Sequence, residues 1–228
     1  MSAHLKGLIV EGVVASGKTT LIQNIQLALA EKYPACTKVF LSEHYTERVL
    51  EDKKAQRALT ASEVIEHADS ILSIVKQLAW LKSSSKFEMK TGNALIHVIL
   101  ERLVGSHFAN LSTLGAWGLN SHDHHRIRDL YAALAELGFT VLILTIAEDR
   151  IEETIDRTRT RRNNAWSDYL NSIGDRMDVG RYYREWQQLL LQFYESLNLV
   201  CPIRQVEVAP SKDNLQYRHL ADEWIRSS

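Results

Sequence analysis

A glycine-rich loop directly after a short apolar run is the feature that most constrains what this chain can fold into. Residues Gly12 to Thr19 read GVVASGKT and fit the pattern G-x-x-x-x-G-K-[ST]. The pattern carries meaning only where a strand precedes it and a helix follows it. The apolar run Leu8–Val10 predicts the strand, and apolar residues four positions apart predict the helix, namely Leu21, Ile25 and Leu29. This context favours a site for a nucleoside triphosphate over a chance glycine-rich turn.

The chemistry expected of this loop follows from its backbone. Glycines allow successive N–H groups to point inward at phosphate oxygens, and the helix that starts near Lys18 adds the positive end of its dipole. Lys18 is expected to reach the β- and γ-phosphates, and the Thr19 hydroxyl is expected to ligate Mg²⁺. The residues expected to bind the nucleotide are Gly12, Ala15, Ser16, Gly17, Lys18, Thr19 and Thr20.

Strands and helices alternate along the rest of the chain. Five apolar runs predict strands: Leu8–Val10, Val39–Leu41, Leu95–Leu100, Val141–Ile146 and Val206–Val208. Segments with helical spacing lie between them, which predicts an α/β fold with a parallel sheet. Ligands of such sheets bind beyond the carboxyl ends of the strands. The residues that follow each strand therefore carry most of the functional information.

Length and composition set the remaining bounds. A chain of 228 residues with 45% hydrophobic content suits a single domain over 1–228. The formal net charge of −1 argues against a protein dominated by nonspecific nucleic-acid binding. Two cysteines, Cys36 and Cys201, could pair, but such sparse usage fits a reducing compartment better. No signal peptide or membrane span is recognisable, so a cytoplasmic protein is expected.

Carboxylates follow the second and third predicted strands. Glu43 could accept a hydroxyl proton or orient a phosphate acceptor, or it could be a solvated loop residue. Glu101 beside the glycine-rich loop could hold Mg²⁺ directly or through water, and Arg102 could pair with an anionic oxygen. The alternative for this pair is a glutamate at a helix start followed by a solvated arginine.

Five arginines lie between Arg150 and Arg162, after the fourth predicted strand. Arg157 and Arg161 would share a helix face and could belong to a flap that closes on phosphates. A surface helix in which Glu153 pairs with Arg157 explains the first half of the segment well, but it explains RTRTRR poorly because no acidic residue follows at once.

Three further features have two interpretations each. The segment HDHH, His122–His125, invites a metal site, but a solvated helix start with Asp123 near the N-cap is favoured. Trp80 is expected in the core. Gln77, on the same predicted helix, could read a nucleobase through its paired donor and acceptor, although a solvated position is the simpler expectation.

The motifs together resemble the P-loop nucleoside and nucleotide kinases, most closely the deoxynucleoside kinase and thymidylate kinase-like group. The segments that carry the resemblance are EGVVASGKTT, LSE, a helix with Gln77, VILER and RTRTR, and they cover the chain from Leu8 to about Val208. The resemblance implies a three-layer P-loop kinase fold, with a five-stranded parallel sheet, helices on both faces and an Arg-rich lid at about 148–166.

The resemblance also implies roles for individual residues. Glu43 would be a catalytic or acceptor-orienting carboxylate, Glu101 and Arg102 would contact Mg²⁺ and the acceptor, and Arg157 and Arg161 would match the lid pattern R-x-x-x-R. Pro210, in the loop after the last strand, would border the adenine. Lys18 completes the expected catalytic set, and the expected metal ligands are Thr19 and Glu101.

The expected activity is ATP-dependent, Mg²⁺-assisted phosphoryl transfer to a nucleoside or nucleoside monophosphate. His44 and Leu103 depart from the residues usual in the group, so another small-molecule alcohol is an alternative acceptor. A nucleotide-binding regulatory module with little transfer activity is a third hypothesis. The implied partners are a small-molecule acceptor and, plausibly, a second copy of the chain, without a membrane or a stable nucleic-acid partner.

Overall fold

The computed structural model describes residues 5–50, 59–82, 95–113, 119–160, 162–209 and 214–227. A parallel five-stranded sheet with the order β2-β3-β1-β4-β5 forms its centre. The strands are β1 Leu5–Gly12, β2 Thr37–Leu41, β3 Ile96–Glu101, β4 Phe139–Thr145 and β5 Ile203–Glu207. Each contains or overlaps one of the five apolar runs that predict strands, so the predicted α/β fold with a parallel sheet is confirmed.

Nine α-helices lie within the described residues. Their bounds are α1 Lys18–Lys32, α2 Glu43–Thr46, α3 Ala61–Lys82, α4 Gly105–Thr113, α5 Ser121–Glu136, α6 Glu148–Arg159, α7 Asn164–Ile173, α8 Arg176–Leu197 and α9 Leu215–Arg226. A short 3-10 turn at Arg48–Leu50 follows α2. The region expected to form an Arg-rich lid, 148–166, is helical over most of its described part, in α6 and the start of α7.

The helices cover both faces of the sheet. Helix α1 runs from β1 to β2, while the later connections cross the sheet in the opposite direction, and right-handed crossovers therefore place them on opposite faces. Side chains of β1 contact helices on each of the two faces of the sheet. Lys6 donates to backbone carbonyls of α9, which packs on α1, whereas Glu11 accepts from residues of α4 and α8. Lys6 and Glu11 have opposite parity along the strand, as alternation requires.

Strand register brings the functional segments to one edge. Val10 of β1 pairs with Glu101 of β3, and the Arg102 N–H extends the ladder by donating to the Val10 carbonyl at 2.9 Å. Gly12 lies two residues further on β1, where the chain leaves the sheet. The glycine-rich loop and the Glu101–Arg102 pair therefore meet at the carboxyl end of the central strands.

Several local predictions have clear outcomes. Asn120 is the N-cap of α5 and forms a capping box with Asp123, which is the helix start predicted for the histidine-rich segment. No group of three or more potential metal ligands occurs among the described residues. Trp80 is 69% exposed, so its prediction as a core residue is wrong. Both cysteines are free. Across the described segments, no helix is both long and apolar enough to cross a membrane.

Candidate active site at the carboxyl end of the sheet

The loop between β1 and α1 has the backbone conformations that a phosphate-binding loop needs. Gly12 and Gly17 have φ angles of 143° and 85°, and Ala15 lies at 65°. A Cβ atom on Gly12 would lie 2.3 Å from the backbone oxygen of Leu144, and one on Gly17 would lie 2.1 Å from the hydroxyl oxygen of Tyr217. Both motif glycines are therefore required by their conformation and by the close approach of neighbouring residues.

Ser16 is fixed at the base of this loop. Its carbonyl accepts a hydrogen bond of 2.9 Å from the Tyr217 hydroxyl, and its own side chain is fully buried. The Ser16 hydroxyl has no hydrogen-bond partner among the described residues. A buried hydroxyl without a partner is costly, and a phosphate oxygen held by the loop would supply the missing acceptor. Thr20, one turn into the helix, is half-buried.

Lys18 lies inside the curl of the loop. Its Nζ donates to the carbonyls of Gly12 at 2.9 Å and Val13 at 3.1 Å, and the residue is 5% exposed. Burial lowers the pKa of Lys18 to about 7, and the nearby positive charge of Arg102 acts in the same direction. A polyphosphate in the loop would reverse this effect, because an opposite charge favours the ammonium form. The position of the Lys18 ammonium group inside the loop therefore suits the binding of an anion there.

Thr19, at the start of α1, and Glu101, at the end of β3, are in contact. The Thr19 hydroxyl donates to a carboxylate oxygen of Glu101 at 3.1 Å, and Thr19 is exposed while Glu101 is buried. A hydroxyl and a carboxylate are the hard oxygen ligands that Mg²⁺ accepts alongside water and phosphate oxygens. The chemistry of this pair fits the predicted magnesium site.

Glu43 and Arg102 face each other beside the loop. The Nε of Arg102 lies 3.7 Å from a carboxylate oxygen of Glu43, and Arg48 forms an ion pair of 2.5 Å with the other oxygen. Burial alone would raise the pKa of Glu43, but Arg102, Arg48 and Lys18 together hold it below its ordinary value. Glu43 is therefore ionised at neutral pH. The Nε of Arg102 is buried and has no hydrogen-bond partner in the described chain.

Three residues that the sequence did not single out complete this side. Glu47 is 7% exposed and binds Nη1 of Arg102 at 2.5 Å. Asn110 donates to the other oxygen of Glu47 at 2.9 Å and accepts from the Trp186 indole at 2.6 Å. The Trp186 ring lies 5.8 Å from the guanidinium carbon of Arg102. Of these, only Glu47 had a signal in the sequence, since it follows Glu43 by one helical turn.

Glu11 is a further residue of the candidate site that was not selected from the sequence. It is fully buried and accepts hydrogen bonds from the backbone N–H of Leu103 at 3.0 Å, from the Ser106 hydroxyl, and from the Tyr194 hydroxyl at 3.1 Å. Burial raises the pKa of Glu11, while Ser106, Arg102 and the Leu103 N–H oppose that rise. Arg102 has a left-handed φ of 65°, a costly conformation for a residue other than glycine. By accepting from the N–H of the next residue, Leu103, Glu11 helps to hold the backbone of this turn in place.

The arginine segment divides into two environments. Arg157 is paired with Glu153 on the surface of α6, the arrangement that the surface-helix alternative predicted. Arg161 lies outside the described residues. Arg162 was not selected from the sequence, yet its guanidinium lies 4.6 Å from the ring centre of Trp166. Burial lowers the pKa of Arg162, and the charge of Glu43 opposes the shift. The charge of Arg162 therefore interacts with the carboxylate of Glu43.

Two further predicted residues remain, one of which is among the described residues. Gln77 is exposed on α3, the solvated position that was the simpler expectation. Pro210 lies outside the described residues; its neighbour Ala209 exchanges two hydrogen bonds with the side chain of Gln216, at 3.2 and 2.8 Å. The structure therefore brings together Lys18, Thr19, Glu43, Glu101 and Arg102 around one loop.

Comparisons with known proteins add little to this geometry. No family model matches the chain, and no curated protein matches it. Among solved structures, it is similar to a deoxyadenosine kinase from M. mycoides with bound dATP, at 15% sequence identity. The match covers 96% of this chain and 98% of that one, with a TM-score of 0.46. A likeness of this size says nothing about chemistry, for which the residues around the loop are the evidence.

Proposed function

We propose that the protein is a phosphotransferase that moves the γ-phosphoryl group of ATP to a hydroxyl group of a nucleoside or nucleoside monophosphate. The observation that carries the proposal is the juxtaposition of Lys18, buried inside the glycine-rich loop, with the facing pair Glu43 and Arg102. A triphosphate in the loop would direct its terminal phosphate toward this pair. The absence of a guanine-reading N-K-x-D sequence favours ATP over GTP as the donor.

The gap between Glu43 and Arg102 suits an acceptor hydroxyl. The carboxylate of Glu43 can accept the hydroxyl proton, while the unpartnered Nε–H of Arg102 can donate to the hydroxyl oxygen. An ionised carboxylate with a lowered pKa is a weak base, so we assign Glu43 mainly to orientation of the nucleophile. This assignment suits phosphoryl transfer, in which positioning and neutralisation of charge account for most of the catalysis.

The other residues of the site neutralise charge. Lys18 would lie against the β- and γ-phosphates, and backbone N–H groups of the loop would bind their oxygens. Thr19 and Glu101 would hold Mg²⁺, which when bound neutralises charge on the β- and γ-oxygens. Lid arginines would stabilise the transferred group; we propose this role for Arg161, and also for Arg162 because its charge interacts with Glu43. Arg157, the other arginine predicted for the lid, is engaged by Glu153 on the surface of α6 and is not assigned this role.

A kinase of another small-molecule alcohol is the second candidate. It is favoured by the exposure of Gln77, which leaves the described site without an assigned base-reading amide. A panel of nucleosides, their monophosphates and unrelated alcohols, scored by acceptor-stimulated ADP release, separates the two candidates. Binding of ATP without release of ADP for any acceptor would support a regulatory module instead.

The decisive test of the proposal is the substitution Lys18→Ala. The change removes the ammonium group but leaves a helix-compatible residue at the start of α1, so the fold should persist. We expect transfer to fall by at least about a thousandfold, a loss that circular dichroism and an unchanged melting transition would separate from unfolding. Full turnover by this variant, or no calorimetric binding of a non-hydrolysable ATP analogue with Mg²⁺ to the wild-type protein, would refute the assignment.

A further inference from the structure

Arg102 is a buried cation beside Glu43, where the proposed acceptor would bind, and most of its charge is already matched. Glu47 contacts its Nη1 at 2.5 Å, and Glu43 lies 3.7 Å from its Nε. The side chains of Arg102 and Glu47 are 11% and 9% exposed, so solvent screens this ion pair weakly. Glu47, Glu43 and Glu11 raise the pKa of Arg102 above its ordinary value, against the effect of its burial.

Glu47 has no free oxygen for catalysis. One carboxylate oxygen binds Arg102 and the other accepts from Asn110, which is itself fixed by the Trp186 indole. The Glu47 backbone N–H also donates to the carbonyl of Glu43 at 2.9 Å, which closes the end of helix α2. A carboxylate held at both oxygens can neither accept a proton nor rotate toward a ligand without breaking these bonds. Its remaining contribution to the site is its negative charge.

This charge decides which acceptors the site can hold. An acceptor that carries a phosphate needs a cation for it, and Arg102 is engaged by two carboxylates that would repel a second anion. Arg48, the neighbouring cation, is paired with Glu43, and Arg162, which packs on the Trp166 ring, is assigned above to the transferred phosphoryl group. A neutral hydroxyl group, in contrast, needs only the Nε–H of Arg102 and an oxygen of Glu43. The balance of described charges therefore favours an uncharged acceptor.

We propose that Glu47 is a specificity-determining residue, which holds Arg102 in place and excludes acceptors that already carry a phosphate group. The inference rests on the proposed function and narrows it from nucleosides and their monophosphates to neutral alcohols such as nucleosides. Glu47 acts through Arg102, so it positions that guanidinium and does not itself touch the substrate.

The test measures binding of inorganic phosphate to protein loaded with Mg²⁺ and a non-hydrolysable ATP analogue, so that the P-loop is already filled. Glu47→Gln replaces the carboxylate by an amide, which removes the negative charge beside Arg102 while keeping an oxygen that can accept from it. We expect calorimetry to show phosphate binding at least about tenfold tighter than in the wild-type protein. Adding Arg102→Gln to this variant should abolish the gain. Loss of a purely structural contact would not create an anion site.

Controls separate this result from other effects. Glu31→Gln makes the same change of net charge at the exposed far end of α1, roughly 20 Å along the helix from the loop, and should leave phosphate binding unchanged. If Glu47→Gln does not fold, Glu47→Ala provides the same comparison. Phosphate binding that does not increase, or that persists without Arg102, would overturn the inference. Failure of the wild-type protein to bind the analogue would overturn the proposed function, and this inference with it.

Discussion

At the scale of single residues, the site depends on buried carboxylates whose partners come from distant parts of the chain. Glu11 stands directly before Gly12, inside a strand that is otherwise apolar apart from Lys6. Its oxygens receive three donors, from Leu103, Ser106 and Tyr194. Burying a carboxylate is unfavourable unless such donors compensate it. Glu11 thereby connects the strand that carries the glycine-rich loop to the turn that carries Arg102.

Substitution of Glu11 should separate its charge from its role as an acceptor. Glu11→Leu removes the acceptor of the Leu103 N–H and the Ser106 hydroxyl, while Tyr194 keeps its hydrogen bond with Tyr131, and the change should lower the free energy of unfolding by about 2–4 kcal/mol. Glu11→Gln keeps one oxygen for the Leu103 N–H, and the hydroxyls can rotate to meet the amide, so the loss should be about 1 kcal/mol. Urea unfolding of both variants measures the difference. Equal losses would show that these hydrogen bonds contribute little.

Residues whose geometry is local were predictable, and residues fixed by tertiary contacts were not. The positions of Gly12, Gly17 and Lys18 follow from a backbone curl that seven or eight consecutive residues specify. The pairing of Glu47 with Arg102 depends on strand register and on Asn110 in α4, 63 residues further along the chain. A sequence shows the charge of Glu47 but not the guanidinium it meets.

At the scale of elements, the arginines in helix α6 and just after it lie in two different surroundings. Arg157 lies on the solvated side and pairs with Glu153 four residues earlier. Arg162 follows the end of the helix, where it packs on Trp166 of α7 and interacts with the charge of Glu43. The N-cap Asn163 accepts from the backbone N–H of Trp166 at 3.1 Å and so fixes the start of α7 beside this arginine.

The two arginines should therefore differ in their effect on turnover. Arg162→Ala removes a cation whose charge interacts with Glu43 and should reduce kcat by roughly a hundredfold. Arg157→Ala breaks an exposed ion pair, which contributes little, and should change kcat by less than about threefold. The kcat of each variant and of the wild-type protein is measured with the acceptor that the panel of nucleosides, monophosphates and alcohols identifies. A larger effect at Arg157 would instead support the R-x-x-x-R pattern as the functional part of the lid.

Elements with a strong pattern were predictable, although the exposure of single residues within them was not. The buried strands β1, β3 and β4 are nearly continuous apolar runs, which is the pattern of parallel strands covered on both faces. In α3 the stripe of Ile71 and Val75 is buried as its spacing indicates, but Ile74 is 47% exposed. Helical spacing defines a face, and the width of the contact on that face depends on neighbours that the local pattern does not contain.

At the scale of the whole molecule, the two ends of the sheet carry different chemistry. The carboxyl end holds the glycine-rich loop, while the amino end buries Lys6 and His97 against Trp224 of α9. Lys6 donates to the carbonyl of Ile225 at 3.1 Å, and burial lowers its pKa to about 8. A cavity of about 390 Å³ opens beside His97 and Tyr33 at this end, remote from the candidate active site.

His97 should make the fold sensitive to acid. Burial, together with the charges of Lys6 and Lys38, lowers the pKa of His97 to about 4. Between about pH 6.5 and pH 4 the unfolded chain binds more protons at this residue than the folded protein does, so the free energy of unfolding falls as the pH falls. The difference between the two pKa values corresponds to a loss of up to roughly 3 kcal/mol across this window.

Replacing His97 tests this linkage without reference to catalysis. His97→Leu removes the titrating group and a ring nitrogen, Nδ1, that has no hydrogen-bond partner among the described residues. Compared with the wild-type protein, the variant should lose up to roughly 3 kcal/mol less stability between pH 6.5 and pH 4, as measured by urea unfolding at each pH. His122→Gln, at an exposed position on α5, is the matched control and should keep the wild-type dependence. Parallel pH profiles for His97→Leu and the wild-type protein would show that His97 is not held neutral by the fold.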